Sequence, residues 1–223
     1  MELNLSSNQI RVLGCLVEKE LTTPEYYPLT LSSLTNACNQ KSNREPVMAL
    51  SESEVLDSIK ELETRYLVRE KQLPGSRVAK YAHKLTGTLT DQFGFSDQEI
   101  AVLSILFLRG PQTPGEIRTR TQRSCNFNDV QEVDQILTNL TDKNGKQYVK
   151  ALARQPGKRE IRFIHLFGNE DDMNFIADTS HSHSDYSNAN SDSPAELQLL
   201  QDEVKQLRTE LNELKAKVAQ ITS

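Results

Sequence analysis

Histidines and cysteines are the residues of this 223-residue chain whose chemistry could support catalysis or metal binding. The three cysteines, Cys15, Cys38 and Cys125, are widely spaced and form no C-x-x-C pair. Such usage fits a reducing compartment and argues against both a disulfide framework and a zinc site. We therefore expect Cys15 and Cys125 to pack as small apolar side chains.

The four histidines fall into two pairs with different surroundings. His181 and His183 lie in a Ser- and Asp-rich tract, where solvated side chains are a more ordinary outcome than metal ligands. His83 and His165 occupy matching positions in two related segments, which indicates a shared structural task rather than one catalytic site. The sequence also lacks a nucleophile elbow, a phosphate-binding glycine loop and an H-E-x-x-H motif. It therefore predicts a non-enzymatic protein with no metal and no cofactor.

Lysine and arginine side chains that could contact phosphate groups are the remaining candidates for a binding site. The net charge of −5 gives the chain no overall basic field. Positive charge is local, since residues 94–168 hold 11 Lys and Arg against 8 Asp and Glu. The candidate nucleic-acid contacts lie on two predicted hairpins and on the connection before the first copy's third helix: Lys41, Arg44, Lys71, Arg77, Lys80, Lys158, Arg159 and Arg162. Each could equally be an ordinary solvated surface charge.

An internal repeat positions these candidates. Residues 5–13 realign with residues 95–103, and both segments start a helix at a serine with Gln or Glu three residues later. A second helix follows Thr30 in one copy and Thr113-Pro114 in the other. Capping boxes of this kind are predicted at the first and third helices of each copy: Ser6 with Gln9, Ser51 with Glu54, Ser96 with Glu99, and Asp129 with Glu132.

Each copy ends in a segment that predicts a β-hairpin. Residues 74–83 realign with residues 156–165, and each segment opens on a Pro-Gly turn signal. Strand-like runs flank the first turn, over residues 66–73 and 78–85. Three helices followed by a hairpin is the order of a winged helix-turn-helix. The sequence therefore predicts a mainly α fold with small β-hairpin wings (α+β), in which residues 1–93 and 94–168 form two tandem winged-helix domains.

A linker and a helical tail follow the two copies. Residues 169–193 contain six acidic residues and no basic residue, and we expect them to form a disordered acidic linker. Unbroken apolar heptads predict a coiled coil over residues 194–223 that makes the chain a homodimer: Leu197, Leu200, Val204, Leu207, Leu211, Leu214, Val218 and Ile221. Complementary charges beside this stripe favour a parallel pair. The alternative is a helix that packs back onto its own domains.

Two stretches around the second helix of the first copy go beyond general winged-helix patterns. Residues 22–28 read TTPEYYP, and residues 39–48 read NQKSNREPVM. Together with QTPGE at 112–116 and QPGKRE at 155–160, they resemble the YceH-like family of bacterial proteins. The resemblance covers residues 1 to about 168. It implies tandem winged helices, and it implies no ligand, catalytic residue or partner.

The charge pattern leaves two binding functions open. Helix-turn-helix proteins commonly bind duplex DNA with a recognition helix in the major groove, yet both predicted third helices are acidic. One hypothesis is therefore a transcriptional regulator whose basic wings contact DNA phosphates. The other is a dimeric protein–protein adaptor, resembling the winged-helix subunits of chromosome-organising complexes.

The start of the chain and its apolar content predict where the protein is found. The first nine residues, MELNLSSNQ, lack the basic and apolar regions of a signal peptide. The longest apolar stretch, residues 100–108, is interrupted by Ser104 and is far too short to cross a bilayer. We expect a cytoplasmic protein that does not insert into a membrane.

Overall fold

The computed structural model describes residues 3–72, 75, 78–86, 93–154 and 160–168, which belong to one compact unit. This part of the chain is an α+β fold with six α-helices and two small antiparallel sheets. It contains no helix that is both long and apolar enough to span a bilayer. The predicted linker (169–193) and the predicted coiled coil (194–223) lie outside the described residues.

The first repeat contains three helices and a three-stranded sheet. Its elements in chain order are α1 (Ser7–Thr22), a 3-10 turn (Pro24–Tyr26), β1 (Leu29–Thr30), α2 (Leu31–Cys38), α3 (Glu52–Thr64), β2 (Val68–Lys71) and β3 (Lys80–His83). The strand order in the sheet is β1-β3-β2, and both pairings are antiparallel. The hairpin β2–β3 thus forms after the three helices, and β1 joins its outer edge from between α1 and α2.

The second repeat has the same order of elements. Its elements are α4 (Asp97–Arg109), α5 (Pro114–Thr121), α6 (Val130–Thr141), β4 (Val149–Ala151) and β5 (Phe163–His165). β4 and β5 pair in antiparallel fashion, and a single bridge between Gln112 and Phe163 stands where the first repeat has β1. The prediction of a mainly α fold with small β-hairpins is confirmed.

Side-chain caps start the helices where the sequence places them. Complete capping boxes form at Ser6, Ser51, Ser96 and Thr113. The box predicted at Asp129 is wrong in part: Asp129 accepts the backbone N–H of Glu132, but the Glu132 carboxylate accepts from Asn128. The backbone of Asp129 is more extended (φ −146°, ψ −178°) than that of the other caps, which shifts the carboxylate's partner by one residue.

The two repeats pack on one another through α1 and α4. A Cβ placed on Gly14 of α1 would lie 2.9 Å from the Cβ of Phe107, so only glycine permits this approach. The buried side chains of both repeats form one continuous hydrophobic cluster. Two backbone hydrogen bonds reinforce it, from Glu45 N–H to the Leu108 carbonyl (2.8 Å) and from Leu5 N–H to the Phe167 carbonyl (2.9 Å). The repeats therefore share a core, and the contact between them holds their hairpins in a defined relation.

Candidate functional site

The hairpin of the first repeat carries a row of polar and basic residues. Lys71 on β2 pairs directly with Lys80 on β3, and Thr30 on β1 pairs with Lys80 from the other side. Directly paired residues place their side chains on the same face of a sheet, so the three share a face. Like charges in direct opposition destabilise a strand pair. An anion bound at this row would relieve that repulsion.

One carboxylate partly offsets this positive charge. The carboxylate of Glu20 on α1 lies 2.5 Å from Nε2 of His83. Burial by itself would raise the pKa of Glu20, but the contact with His83 and the positive charges of Lys71 and Arg69 outweigh it and lower the pKa. Glu20 is therefore ionised at neutral pH, and its negative charge partly balances the positive charge of the hairpin.

A groove of about 400 Å³ lies beside this row, between the end of α1, the turn at Pro24–Tyr26 and the start of α2. Two lysines line it, Lys19 from α1 and Lys80 from β3. The hydroxyl-bearing residues Thr30 and Ser33 line it at the first turn of α2. Among the described residues that form its wall, Glu25 carries the single negative charge. The groove is therefore a concave surface with a net positive charge.

Lys41 and Arg44 lie in the same connection in opposite surroundings. Lys41 is exposed, whereas the side chain of Arg44 is 0% exposed. Its guanidinium makes a two-point ion pair with Glu18 (3.0 and 2.5 Å), and its Nε donates to the carbonyl oxygen of Ala37 (3.0 Å). Burial by itself would lower the pKa of Arg44, but the bonds to Glu18 outweigh it and raise the pKa. The expectation that Arg44 contacts nucleic acid is therefore corrected: it anchors the connection to α1 and α2.

Several basic side chains of the second repeat are engaged within the protein. Arg162 on the hairpin places Nη1 and Nη2 each 3.0 Å from a carboxylate oxygen of Glu116, and it also donates to the Pro111 carbonyl (2.8 Å). Further cations have similar partners: Arg118 bonds the carbonyl oxygens of Phe127 and Asn128, and Lys143 bonds Glu99. Arg162 and Lys143 are thus paired with carboxylates inside the repeat, and Arg118 is held by carbonyl oxygens.

Three predicted contacts, Arg77, Lys158 and Arg159, lie outside the described residues, as do the heptad positions between residues 197 and 221. Of the predicted set, the structure places Lys71 and Lys80 next to one another on one hairpin. It leaves Lys41 exposed on a separate connection and pairs Arg162 with a carboxylate.

Both third helices expose acidic side chains. On α3 the exposed acidic residues are Glu52, Glu54, Asp57 and Glu61, and exposed Lys60 is paired with Asp57 at 3.1 Å. The sequence of α6 contains no Lys or Arg. Because acidic surfaces repel phosphate groups, neither third helix has the charge of a DNA-reading helix.

Residues 5–158 match the family described as "Protein of unknown function, DUF480". The chain belongs to this family. It is 45% identical over 225 residues to a UPF0502 protein of Photobacterium profundum, with 100% of both chains covered. It is 53% identical over 165 residues to a UPF0502 protein of Aliivibrio fischeri, covering 74% of this chain and 76% of the relative.

The DUF480 match spans both repeats, from the residue before the first helix cap to beyond β4. A UPF0502 protein of Vibrio parahaemolyticus is 46% identical over 223 residues, covering 100% of each chain. A bacterial family membership, which the sequence motifs indicated, is thus confirmed as DUF480 and UPF0502. The YceH-like name remains a resemblance.

Lys80 of this DUF480 protein was among the predicted contacts, whereas the other polar groove residues, Lys19, Thr30 and Ser33, were not. The available signal was the repeat itself. At the third position of the second helix one copy has Ser33 and the other has Glu116. Because Thr30 and Thr113 cap the two helices in the same way, the residue three positions after the cap can be compared directly between the copies.

The matching histidines have the same structural task, as their positions predict. Nδ1 of His83 accepts the backbone N–H of Leu85 (3.2 Å), and Nδ1 of His165 accepts that of Phe167 (3.4 Å). Burial lowers the pKa of His165 to about 4. Each imidazole therefore satisfies a backbone donor at the end of its hairpin.

The cysteines are free thiols, and Cys15 and Cys38 are buried. These two thiols are neighbours in the core, and the hydrogen bond with Cys15 together with burial raises the pKa of Cys38. Cys125 is half-buried and packs against the edge of the core. Among the residues that the structure describes, no three His, Cys, Asp or Glu side chains are placed to hold a metal ion, and His181 and His183 lie outside them.

Proposed function

We propose that this chain is a non-enzymatic tandem winged-helix protein that binds duplex DNA through its basic hairpins. The observation that carries the proposal is the row in which Lys71 directly faces Lys80 beside Thr30. Neither lysine forms an ion pair with another described residue at the distances of a salt bridge. A line of phosphates would supply the missing negative charge, and contacts of this kind bind DNA without reading its sequence.

The order of elements supports the winged-helix assignment. In each repeat a hairpin follows three helices, and in the first repeat a short strand between the first two helices joins the hairpin as β1-β3-β2. In such a domain the hairpin is the wing. The exposed acidic residues of α3 favour contact through the wing rather than through the third helix.

The predicted coiled coil would strengthen weak wing contacts. A dimer presents two copies of each wing, and linking two binding modules raises the effective concentration of the second for the same duplex. Because each wing contact is weak by itself, we include dimerisation through the tail in the proposed mechanism.

Binding isotherms with a short duplex at several salt concentrations test the proposal. Lys71→Gln and Arg77→Ala should each weaken binding to all sequences alike and reduce the salt slope by about one unit, because each removes one phosphate contact. Arg159→Ala should act in the same way from the second wing. Lys60→Gln is the matched control, since it removes an exposed lysine from the acidic helix α3. No binding at low salt, or binding that ignores all three wing substitutions, would refute the proposal.

The dimer is tested separately by Leu207→Asp, which places a charge at a central core position of the predicted coiled coil. Sedimentation should show a dimeric wild type and a monomeric variant, and the variant should bind DNA more weakly. A monomeric wild type, or a variant that stays dimeric, would contradict this part of the proposal.

A protein–protein adaptor is the second candidate, and the acidic exposed face of α3 favours it. Such a face suits a basic protein partner. Glu54→Gln combined with Asp57→Asn separates the two functions. If the protein binds DNA, the double variant should bind it at least as tightly as the wild type. If the protein is an adaptor, DNA binding is absent and the double variant loses partners in pull-down experiments.

A further inference from the structure

The groove beside Lys80 has a counterpart in the second repeat that is already filled with an anion. In that repeat the carboxylate of Glu116 lies at the first turn of α5, where it accepts the backbone N–H of Thr113 (2.8 Å). It is held by Arg162 from the hairpin, with two oxygen–nitrogen distances of 3.0 Å. Arg120 lies 3.9 Å away. An oxyanion therefore sits between the second helix and the hairpin, as part of the chain itself.

The first repeat keeps the hairpin cation of this arrangement, has Ala37 where the second repeat has Arg120, and lacks the anion. Lys80 stands at the hairpin position of Arg162, and Thr30 caps α2 as Thr113 caps α5. The third helical position is Ser33 rather than Glu116, and α2 contains no acidic residue. The place that a carboxylate occupies in one repeat is the open groove of about 400 Å³ in the other.

The charges around the groove favour an external anion. Lys19 adds a second ammonium group, and its own ion partner is Glu18 at 3.5 Å, which is already engaged by Arg44. The corresponding residue of the second repeat, Arg109, instead donates to Asn43 and so contributes nothing to a groove. Among the described residues of the wall, Glu25 is the one carboxylate that opposes these two lysines.

We propose that the groove bounded by Lys19, Thr30, Ser33 and Lys80 binds a phosphate group, which occupies the place that the Glu116 carboxylate takes in the second repeat. Two ammonium groups and the hydroxyl of Ser33 supply the donors that a phosphate oxygen requires. The hydroxyl of Thr30 donates to Ser33 Oγ (3.0 Å), which leaves the Ser33 proton free to point into the groove. The phosphate is either part of a DNA backbone, which rests on the proposed function, or part of a free phosphoester. Tyr26, 71% exposed on the groove wall, offers an aromatic face beside it.

The repeat itself supplies the decisive substitution, Ser33→Glu. A glutamate at this position reproduces the Thr–Glu arrangement of the second repeat, so it should complete a capping box with Thr30 and pair with Lys80. The variant should be at least as stable as the wild type, which separates loss of binding from loss of folding. Ser33→Gln also completes a capping box without adding charge, so it controls for the bulk of the side chain.

The full-length chain is titrated with inorganic phosphate while the backbone amide resonances of residues 30–33 are followed by NMR. Wild type and Ser33→Gln should show saturable shifts there, and Ser33→Glu should weaken the apparent affinity by about tenfold, because its carboxylate occupies the site. Lys80→Gln should weaken it as well. Equal shifts in wild type and Ser33→Glu, or no saturable shift in the wild type, would overturn the proposal.

A second arm of the experiment distinguishes the source of the phosphate. If Ser33→Glu also weakens binding of a short duplex relative to Ser33→Gln, the occupant is a backbone phosphate. If Ser33→Glu weakens phosphate binding but leaves duplex binding unchanged, the groove binds a free phosphoester. If no duplex binds at all but the phosphate titration behaves as expected, the proposed DNA function fails and the phosphate site stands.

Discussion

At the third position of its second helix the first repeat carries Ser33, and the second repeat carries Glu116. In the second repeat this carboxylate caps the helix and pairs with Arg162, which closes the space between helix and hairpin. In the first repeat the hairpin presents Lys80 to an open groove. At this position the two repeats therefore differ: the second holds its own carboxylate beside the hairpin, and the first leaves open the groove that we propose as a phosphate site.

The connection between the second and third helices is a further difference between the repeats, and it should give the largest effect on stability. Arg44→Ala removes the buried partner of Glu18, and loss of one partner of a buried ion pair destabilises a protein by about 3–5 kcal/mol. Urea unfolding should show a loss of that size. Lys41→Ala, on the exposed part of the same connection, should change stability by less than about 0.5 kcal/mol. Similar small losses for both variants would contradict the structural role of Arg44.

The buried His165 of the second hairpin should make the protein sensitive to acid. The pKa of His165 is lowered by burial to about 4, below its value of about 6.5 in the unfolded chain. The unfolded state therefore binds more protons between these values, and stability falls as the pH drops from about 6.5 to about 4. This one group should account for about 3 kcal/mol of the loss.

The matched measurement is urea unfolding of the wild type and His165→Asn at several pH values. The variant should lose about 3 kcal/mol less than the wild type between neutral pH and pH 4, whatever its stability at neutral pH. Parallel curves for wild type and His165→Asn would show that acid sensitivity comes from other groups.

The contact between the repeats can be loosened at Gly14. An alanine Cβ at this position would overlap the Cβ of Phe107, which is fixed to its backbone and has little room to give. Overpacking of this kind costs about 1–3 kcal/mol, more than the helix propensity that alanine gains. Gly115→Ala in α5 is the control, because the nearest atom to its added Cβ is 4.0 Å away. If both alanines leave stability unchanged, the helices have room that the structure does not show.

The smallest expected effects on stability are those of substituting the two equivalent hairpin cations, Arg162 and Lys80. Arg162→Gln should destabilise the protein by about 1 kcal/mol, because it breaks a partly exposed ion pair with Glu116. Lys80→Gln, at the equivalent position, should change stability by less than about 0.5 kcal/mol. For phosphate binding we expect the opposite order: Lys80→Gln should weaken binding more than Arg162→Gln does. A Lys80→Gln loss as large as that of Arg162→Gln would mean that Lys80 has a structural partner after all.

Local signals predicted the helix starts well. The boxes expected at Ser6, Ser51 and Ser96 form completely, because a cap and its partner three residues later meet within one helical turn. The Pro-Gly segments likewise placed the hairpins after the third helices, with β2 and β3 shorter than the strand-like runs. The box predicted at Asp129 shows the limit of this local rule. The backbone of Asp129 is more extended than that of the other caps, and the Glu132 carboxylate accepts from the N–H of Asn128 instead of that of Asp129.

The candidate site could be predicted only in part. Lys71 and Lys80 lie on strand-like runs beside a turn signal, so their place on one hairpin follows from the sequence. Lys19 and Ser33 carry no such signal, because the end of α1 and the start of α2 meet the hairpin only through the packing of the repeat.

The sequence by itself determined where the helices and hairpins begin, since those choices depend on residues a few positions apart. Tertiary structure alone decided which basic side chains face solvent. Arg44 is buried because its partner Glu18, 26 residues earlier, lies on α1, while Lys41 three residues before it stays exposed. Arg162 of the second hairpin is paired because it meets Glu116, 46 residues earlier in the chain. A charge counts toward binding only where no opposite charge is close in space, and that distance is set by packing.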